Sequence, residues 1–247
     1  MYKIEEIKNT IHCADCLTFM KDIPDKSVDM ILCDLPYGTT ACKWDTIIPF
    51  EPLWEQYKRI IKDNGAIVLT ASQPFTSALV CSNIKMFKYC WYWEKERLTN
   101  IVQVKNRAGK TVEECVIFYN KQPIYNPQMI IYSGEKRTNK VKNGVMGKLT
   151  DSKQKKVKEY IDNGFRYPTQ VLKIQRDILK SNLHPTQKPV ALFEYLIKTY
   201  TDEGDLVLDN AAGSGTTGVA CKNLKRNYIL IEKEPEYIKI IKERLNY

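Results

Sequence analysis

Short apolar runs recur along the chain at residues 10–13, 28–33, 66–70, 88–94, 114–119, 206–209 and 228–232. They are close to continuous in hydrophobic character, as strands covered on both faces are. Segments with helical periodicity separate them at 51–63, 74–82, 189–200, 216–224 and 235–245. Asn64-Gly65 reads as a stop for the first helix. Pro74, Pro189 and Pro235 suit first-turn positions. The alternation predicts an α/β fold with a largely parallel sheet. It breaks over 88–119, where two strand-like runs have no strong helix between them, so an antiparallel edge hairpin is expected there. Residues 120–183 are polar and weakly periodic, and too long for a bare connection in a compact domain. They read as an insertion into a sheet domain built from 1–119 and 184–247.

Charge sharpens that division. The chain of 247 residues carries a net charge of +9. Residues 131–190 hold 14 lysines and arginines against 5 acids, and the rest is balanced with 24 of each sign. Excess positive charge confined to one block points to a polyanionic partner, most simply nucleic acid. No apolar run approaches the roughly 20 residues that span a bilayer. The N-terminal stretch MYKIEEIKNTIH carries no apolar signal segment, so a cytoplasmic protein without a membrane partner is expected. The eight cysteines fall mostly in apolar runs, as reduced core residues do. Cys13-x-x-Cys16 beside His12 lacks a second ligand pair, and no metal site is expected.

The stretch LVLDNAAGSGTTGVACKNLKRNYILIE (206–232) reads strand, glycine turn, helix, strand, acid. Gly213-x-Gly215-x-x-Gly218 lets backbone approach a ligand at a helix N-terminus, and Glu232 can accept both hydroxyls of a ribose. The Lys and Ser/Thr positions of a P-loop hold Val219 and Ala220, which argues against a nucleoside triphosphatase. Asp209 ends the strand where a pyrophosphate would sit and would repel it, which argues against NAD. The same carboxylate suits a ligand with an ammonium or sulfonium. S-adenosylmethionine carries both, together with a ribose.

A second stretch, ILCDLPYGTT (31–40), ends an apolar strand on Asp34 and then presents a rigid turn and an exposed ring. Ligands of open α/β sheets bind beyond the C-terminal strand ends, so Asp34 and Asp209 can face one crevice. Pro36 biases Leu35 toward an extended conformation. The Leu35 carbonyl and the Asp34 carboxylate can then converge on one point, beside the flat face of Tyr37. Two acceptors and a ring suit the exocyclic amino group of a nucleobase. Hydrogen bonds accepted from both N–H groups free the nitrogen lone pair for attack on a methyl carbon, with in-line positioning supplying the rest. A base in a duplex must be flipped out to reach such a pocket.

These stretches together resemble the amino-group DNA methyltransferases of the permuted "β" motif order. DLPYGTTACKWD (34–45) is similar to the family's catalytic (D/N/S)PPY motif, HPTQKPVALFEYLI (184–197) to the segment before the cofactor loop, DNAAGSGTTGVAC (209–221) to that loop, and RNYILIEKEPEY (226–237) to the segment with the ribose acid. IHCADCLTFMKDIPDKSVDMILCD (11–34) resembles the family's opening. The resemblance implies a Rossmann-like S-adenosylmethionine-dependent methyltransferase sheet with an inserted target-recognition region at 120–183. It implies Asp34, Leu35, Pro36 and Tyr37 as the catalytic motif. It implies Asp15 beside the cofactor adenine, His184, Thr186 and Lys188 toward the methionine end, and Asp209, Asn210, Gly213, Ser214, Gly215, Thr216 and Glu232 around the rest. S-adenosylhomocysteine would be the product. Two departures stand out: Leu35 replaces the usual proline, and Asn210-Ala211-Ala212 replaces the commoner Pro-Phe.

An initial aspartate in the motif favours N6 of adenine over N4 of cytosine, which is kept as the alternative. A catalytically inactive DNA-binding protein is the alternative from another class. An RNA or protein amide methyltransferase is disfavoured by the motif order and the basic insertion. The expected partner is double-stranded DNA, read by Arg137, Asn139, Lys155, Lys156, Arg166, Gln170 and Arg176 through base edges or phosphates. A homodimer and a cognate restriction enzyme are left open, as are the recognition sequence and the source.

Overall fold

The computed structural model describes residues 1–40, 42, 45–134, 163–177 and 187–247. In chain order the strands are β1 (Thr10–Cys13), β2 (Val28–Cys33), β3 (Ile61–Ala71), β4 (Phe87–Glu94), β5 (Val112–Phe118), β6 (Ile130–Ile131), β7 (Phe165–Arg166), β8 (Val171–Lys173), β9 (Leu206–Asp209) and β10 (Asn227–Glu232). The α-helices are α1 (Ile4–Ile7), α2 (Cys16–Met20), α3 (Phe50–Ile60), α4 (Phe75–Ser82), α5 (Val190–Tyr200), α6 (Thr216–Asn223) and α7 (Pro235–Leu245). None of them is long and apolar enough to cross a membrane.

Eight strands form one sheet in the order β1-β10-β9-β2-β3-β5-β4-β8. Alternate residues of each central strand point to opposite faces. Ile31, Cys33, Ile67, Leu69, Leu208 and Ile229 therefore pack with α2, α3 and α4. Met30, Leu32, Val68, Val207 and Leu230 pack with α5, α6 and α7. Double coverage explains why these strands read as unbroken apolar runs. β5 lies antiparallel to both β3 and β4, which is the expected hairpin, and β8 adds a short parallel strand outside β4.

Three details differ from the sequence reading. The helix expected over 51–63 ends at Ile60, because Ile61 is buried and pairs with Val28 at the start of β3. Asn64-Gly65 then forms an irregularity inside β3 rather than a helix stop. A Cβ on Gly65 would come within 2.8 Å of the Asp29 carbonyl oxygen, so only glycine fits. Pro74 and Pro189 sit one residue before their helices, and Pro235 alone opens a first turn.

Contacts divide the chain into two units, 1–126 with 169–247, and 127–168. The second is narrower than the insertion expected at 120–183, since β8 joins the main sheet. Its described part contains the β6–β7 pair, with the Arg166 guanidinium 4.2 Å from the centre of the Tyr132 ring.

β9 and β2 are neighbours. From β9 the chain crosses through α6 to β10 on one side, and from β2 through α3 to β3 on the other. The connections part between these two strands. This is the switch point where an open sheet leaves a crevice beyond its carboxyl ends.

Candidate active site

A cavity of about 290 Å3 opens at that switch point. Asp34, Tyr37, Lys188, Asp209, Asn210 and Glu232 are among the residues that line it.

The glycine loop forms one wall. Gly213 and Gly215 have φ of +51° and +80°, the left-handed region that favours glycine. Gly218 sits in the first turn of α6, where a Cβ would meet Leu230 Cδ1 at 2.6 Å. The loop is braced from α7, as Arg244 Nη1 donates to the Ser214 carbonyl at 2.6 Å and to its hydroxyl at 3.0 Å. The Ser214 hydroxyl donates to Gln187 at 3.1 Å. Glu232 ends β10 and is almost buried. Its carboxylate accepts the Gly213 N–H at 2.7 Å and the Glu234 N–H at 2.9 Å, yet burial keeps its pKa above the ordinary value. Asp209 ends β9 and accepts the Thr217 hydroxyl at 2.5 Å and the Ala211 N–H at 3.1 Å. Burial pushes its pKa up to about 6. Asn210 Oδ1 accepts the Tyr57 hydroxyl at 2.5 Å, while Asn210 Nδ2 is buried with no hydrogen-bond partner among the described residues. Asp15 caps α2 through bonds from the Thr18 N–H and hydroxyl, both 2.9 Å.

The DLPY turn forms the facing wall. Leu35 is buried in the apolar core, which explains an aliphatic side chain at this position. The Tyr37 ring is half-buried, not exposed as expected. It stacks on Phe75 with centroids 5.1 Å apart, and its hydroxyl donates to Asp34 at 2.8 Å. Burial raises the Tyr37 pKa, so the hydroxyl keeps its proton. Thr70, at the end of β3, also donates to Asp34. Asp45 pins the loop beyond Tyr37 by accepting the N–H groups of Gly38, Thr39 and Thr40 at 2.8, 2.9 and 2.7 Å.

Lys188, expected toward the methionine end of a cofactor, lines the cavity together with the glycine loop and Asp34. Its ammonium lies on Asp34, 2.7 Å from each carboxylate oxygen. It is also 3.5 Å from Glu113 Oε2. Glu113 in turn pairs with Lys95. A ladder of alternating charge thus runs Asp34, Lys188, Glu113, Lys95 from the DLPY turn to the hairpin.

His184 and Thr186 lie outside the described residues, as do Arg137, Asn139, Lys155, Lys156 and the Trp44 of the motif's tail. Among the described DNA-contact candidates, Gln170 is exposed and its carbonyl accepts the Tyr92 N–H at 2.7 Å. Arg176 is tied to Glu96, with Nε 2.9 Å from the carboxylate. Thr70 and Arg244 escaped the sequence reading, whereas Asp45 closes the DLPYGTTACKWD stretch and Glu113 lies in NIVQVKNRAGKTVEECVIFY (100–119), a stretch that loosely resembles a later family motif shaping the base pocket.

Known proteins resemble this chain over nearly its whole length. "DNA adenine methyltransferase YhdJ" of Escherichia coli (strain K12) is 31% identical over 98% of this chain and 83% of that protein. "Type II methyltransferase M2.MboI" of Moraxella bovis is 28% identical, over 95% and 86%. The crystal structure of the M1.HpyAVI-SAM complex aligns with a TM-score of 0.65 at 27% identity, covering 96% of this chain and 99% of that one. The PvuII cytosine-N4-specific DNA methyltransferase aligns with a TM-score of 0.68 at 16% identity, covering 95% and 85%, and shares the fold. The family described as DNA methylase, of N6/N4 type, matches residues 28–243, which include the DLPY turn, the glycine loop and Glu232. With both walls of the cavity inside that match, the chain belongs to the N6/N4 DNA methylase family.

Proposed function

We propose that the protein transfers a methyl group from S-adenosylmethionine to the N6 amino group of adenine in duplex DNA. The observation that carries this reading is that Asp34 and the glycine loop line a single cavity. An acceptor for an amino group and a nucleoside site are then neighbours.

The residues present fit the cofactor. Asn210 lines the cavity with its amide held by Tyr57, and its buried Nδ2, without a hydrogen-bond partner among the described residues, suits a carboxylate or a ring acceptor. Asp209, whose ionised form is disfavoured by burial, suits a cationic group. Glu232 can accept from the ribose hydroxyls, with Gly213, Gly215 and Thr216 at the helix N-terminus beside it. When bound, the cofactor supplies an electrophilic methyl carbon. Asp34 and the Leu35 carbonyl accept the two N–H groups of the amino group and hold its lone pair toward that carbon. Tyr37 stacks beside the base. The proton leaves the nitrogen after transfer, so Asp34 need not be a strong base.

Adenine is favoured by the aspartate that opens the motif and by the adenine-specific name of the 31%-identical relative. The basic insertion at 120–183, with Arg166 and Gln170 among its described residues, serves target recognition in this reading. Arg176 is held by Glu96 and is assigned a lesser part. The enzyme works in the bacterial cytoplasm, and its chemistry suits an orphan role or a restriction enzyme partner, and a monomer or a homodimer.

The test is transfer from labelled S-adenosylmethionine to unmethylated duplex DNA, resolved by nucleoside chromatography, with Asp34→Ala as control. Label in N6-methyladenine that vanishes with the variant supports the reading. Label in N4-methylcytosine moves the target to cytosine. Cofactor binding without label on DNA overturns it.

A further inference from the structure

We propose that Glu113 is a positioning residue that takes the Lys188 ammonium from Asp34 when the target base enters. The inference rests on the methyltransferase reading above, and it concerns how the acceptor is vacated.

Asp34 Oδ1 has no room for another donor. It accepts from Tyr37 at 2.8 Å, from Thr70 and from Lys188 at 2.7 Å. Asp34 Oδ2 accepts from Lys188 at 2.7 Å. A carboxylate oxygen offers about two lone pairs, so Oδ1 is already over-subscribed. An amino group that donates to Asp34 either displaces a donor from Oδ1 or crowds against Lys188 at Oδ2. The same ammonium lies over the Tyr37 ring, 5.3 Å from its centroid, near where a base would stack. Both observations identify Lys188 as the group that must yield.

A buried cation cannot move away from its partner without another acceptor. Lys188 is 7% exposed. Glu113 supplies the acceptor, since its Oε2 is buried, has no hydrogen-bond partner among the described residues and lies 3.5 Å from the ammonium. A shift of under about 1 Å brings that gap to a charge-assisted hydrogen-bond distance. Lys95 holds the other oxygen, Oε1, which fixes the carboxylate in place. Burial alone would raise the Glu113 pKa, but Lys188 and Lys95 hold it below the usual range, so it is ionised and ready to accept. Lys188 stays protonated because Asp34 and Glu113 outweigh its burial. Lys110, the next cation in the cluster, donates to Ser72. Two carboxylates and two ammonium groups thus share one ladder, in which Glu113 Oε2 is the buried oxygen without a hydrogen-bond partner among the described residues, and the base fills the place that Lys188 leaves.

The test compares turnover at saturating cofactor and duplex DNA for three variants with the wild type, alongside thermal unfolding and cofactor affinity. Glu113→Gln should lower kcat about tenfold or more with cofactor affinity nearly unchanged, because Lys188 stays locked on Asp34. Adding Lys188→Met to Glu113→Gln should restore part of that kcat, since the lock itself is gone. Adding Lys95→Met instead balances the buried charge equally well but leaves the lock, so turnover should stay low. This second double variant also stands in for Glu113→Gln should the unbalanced Lys95 unfold that protein. Wild-type kcat in Glu113→Gln, equal recovery in both double variants, or recovery in neither overturns the proposal. A wild type that binds cofactor but never labels DNA overturns the function reading, and this inference with it.

Discussion

The Tyr57 hydroxyl donates to Asn210 Oδ1 at 2.5 Å and thereby fixes the amide of a residue that lines the cavity, its Nδ2 finding no hydrogen-bond partner among the described residues. Buried donors are rarely left in this state, and a ligand entering the cavity can supply the missing acceptor. Asn210→Ala should weaken S-adenosylmethionine about threefold to tenfold, the size of a neutral hydrogen bond. Isothermal titration of the two proteins checks this. An unchanged Kd would mean that Nδ2 meets only water.

Asp209 gives a pH signature. Burial, as the leading cause, raises its pKa from 3.8 to about 6 in the folded protein. The fold therefore binds this proton more tightly than the unfolded chain does. Its contribution to stability falls as pH rises from about 4 to about 6, by roughly 3 kcal/mol, and is flat above. Asp209→Asn should consequently raise Tm of the cofactor-free protein at pH 8 and change it little at pH 4.5. The same substitution should weaken the cationic cofactor at pH 8. In the wild type, cofactor affinity should fall as pH drops below about 6, and the Asn variant should lack that fall. Thermal unfolding and titration at both pH values measure the two effects. A lower Tm for the variant at pH 8 would mean that Thr217 and Ala211 stabilise the carboxylate more than burial disfavours it.

What the sequence revealed follows from what local patterns encode. Strand ends and turns are local, so Asp34, Asp209 and Glu232 were visible as acids closing apolar runs, and the glycines as a turn before a helix. Tyr37 was read as exposed because its neighbours in sequence say nothing of Phe75, which reaches it from α4. Lys188 lies 154 positions from Asp34 and 75 from Glu113, and no spacing rule joins residues that far apart. Asn64-Gly65 misled for a related reason. The dipeptide favours a turn, but Val28 recruits Ile61 into the sheet, and tertiary pairing prevails over local propensity.

Gly218 should not tolerate alanine. Alanine normally gains about 1 kcal/mol over glycine within a helix. Here its Cβ would lie 2.6 Å from Leu230 Cδ1 and 3.0 Å from Leu245 Cδ1, both in the closed core. Overpacking of this kind costs about 1–3 kcal/mol and should prevail. Gly218→Ala should lower stability to denaturant by about 1 kcal/mol, with reduced cofactor affinity as α6 shifts. A more stable variant would show that Leu230 can move aside without loss.

Asp45 is the hinge pin of the loop that follows Tyr37. Burial would raise its pKa, but the Thr40 side chain and the N–H groups of Gly38, Thr40 and Thr39 bring it below the usual value. A carboxyl lowered in the folded state contributes fully above its unfolded pKa, and that contribution is lost as pH falls through the folded one. The loop should thus be fully braced from pH 6 to 9, where turnover is measured. Asp45→Ala removes the acceptor of three N–H groups, each bond to a charged oxygen being worth about 1.5–3 kcal/mol. Asp45→Asn keeps one oxygen and only part of that bracing. Turnover should therefore fall in the order wild type, Asn, Ala, by about tenfold or more at the last step, while global unfolding changes less because the loop lies outside the sheet. Steady-state rates with duplex DNA and limited proteolysis near Thr39 measure both parts. Equal rates in all three proteins would detach this loop from catalysis. A rate loss matched by a loss of global stability would make Asp45 a structural residue alone.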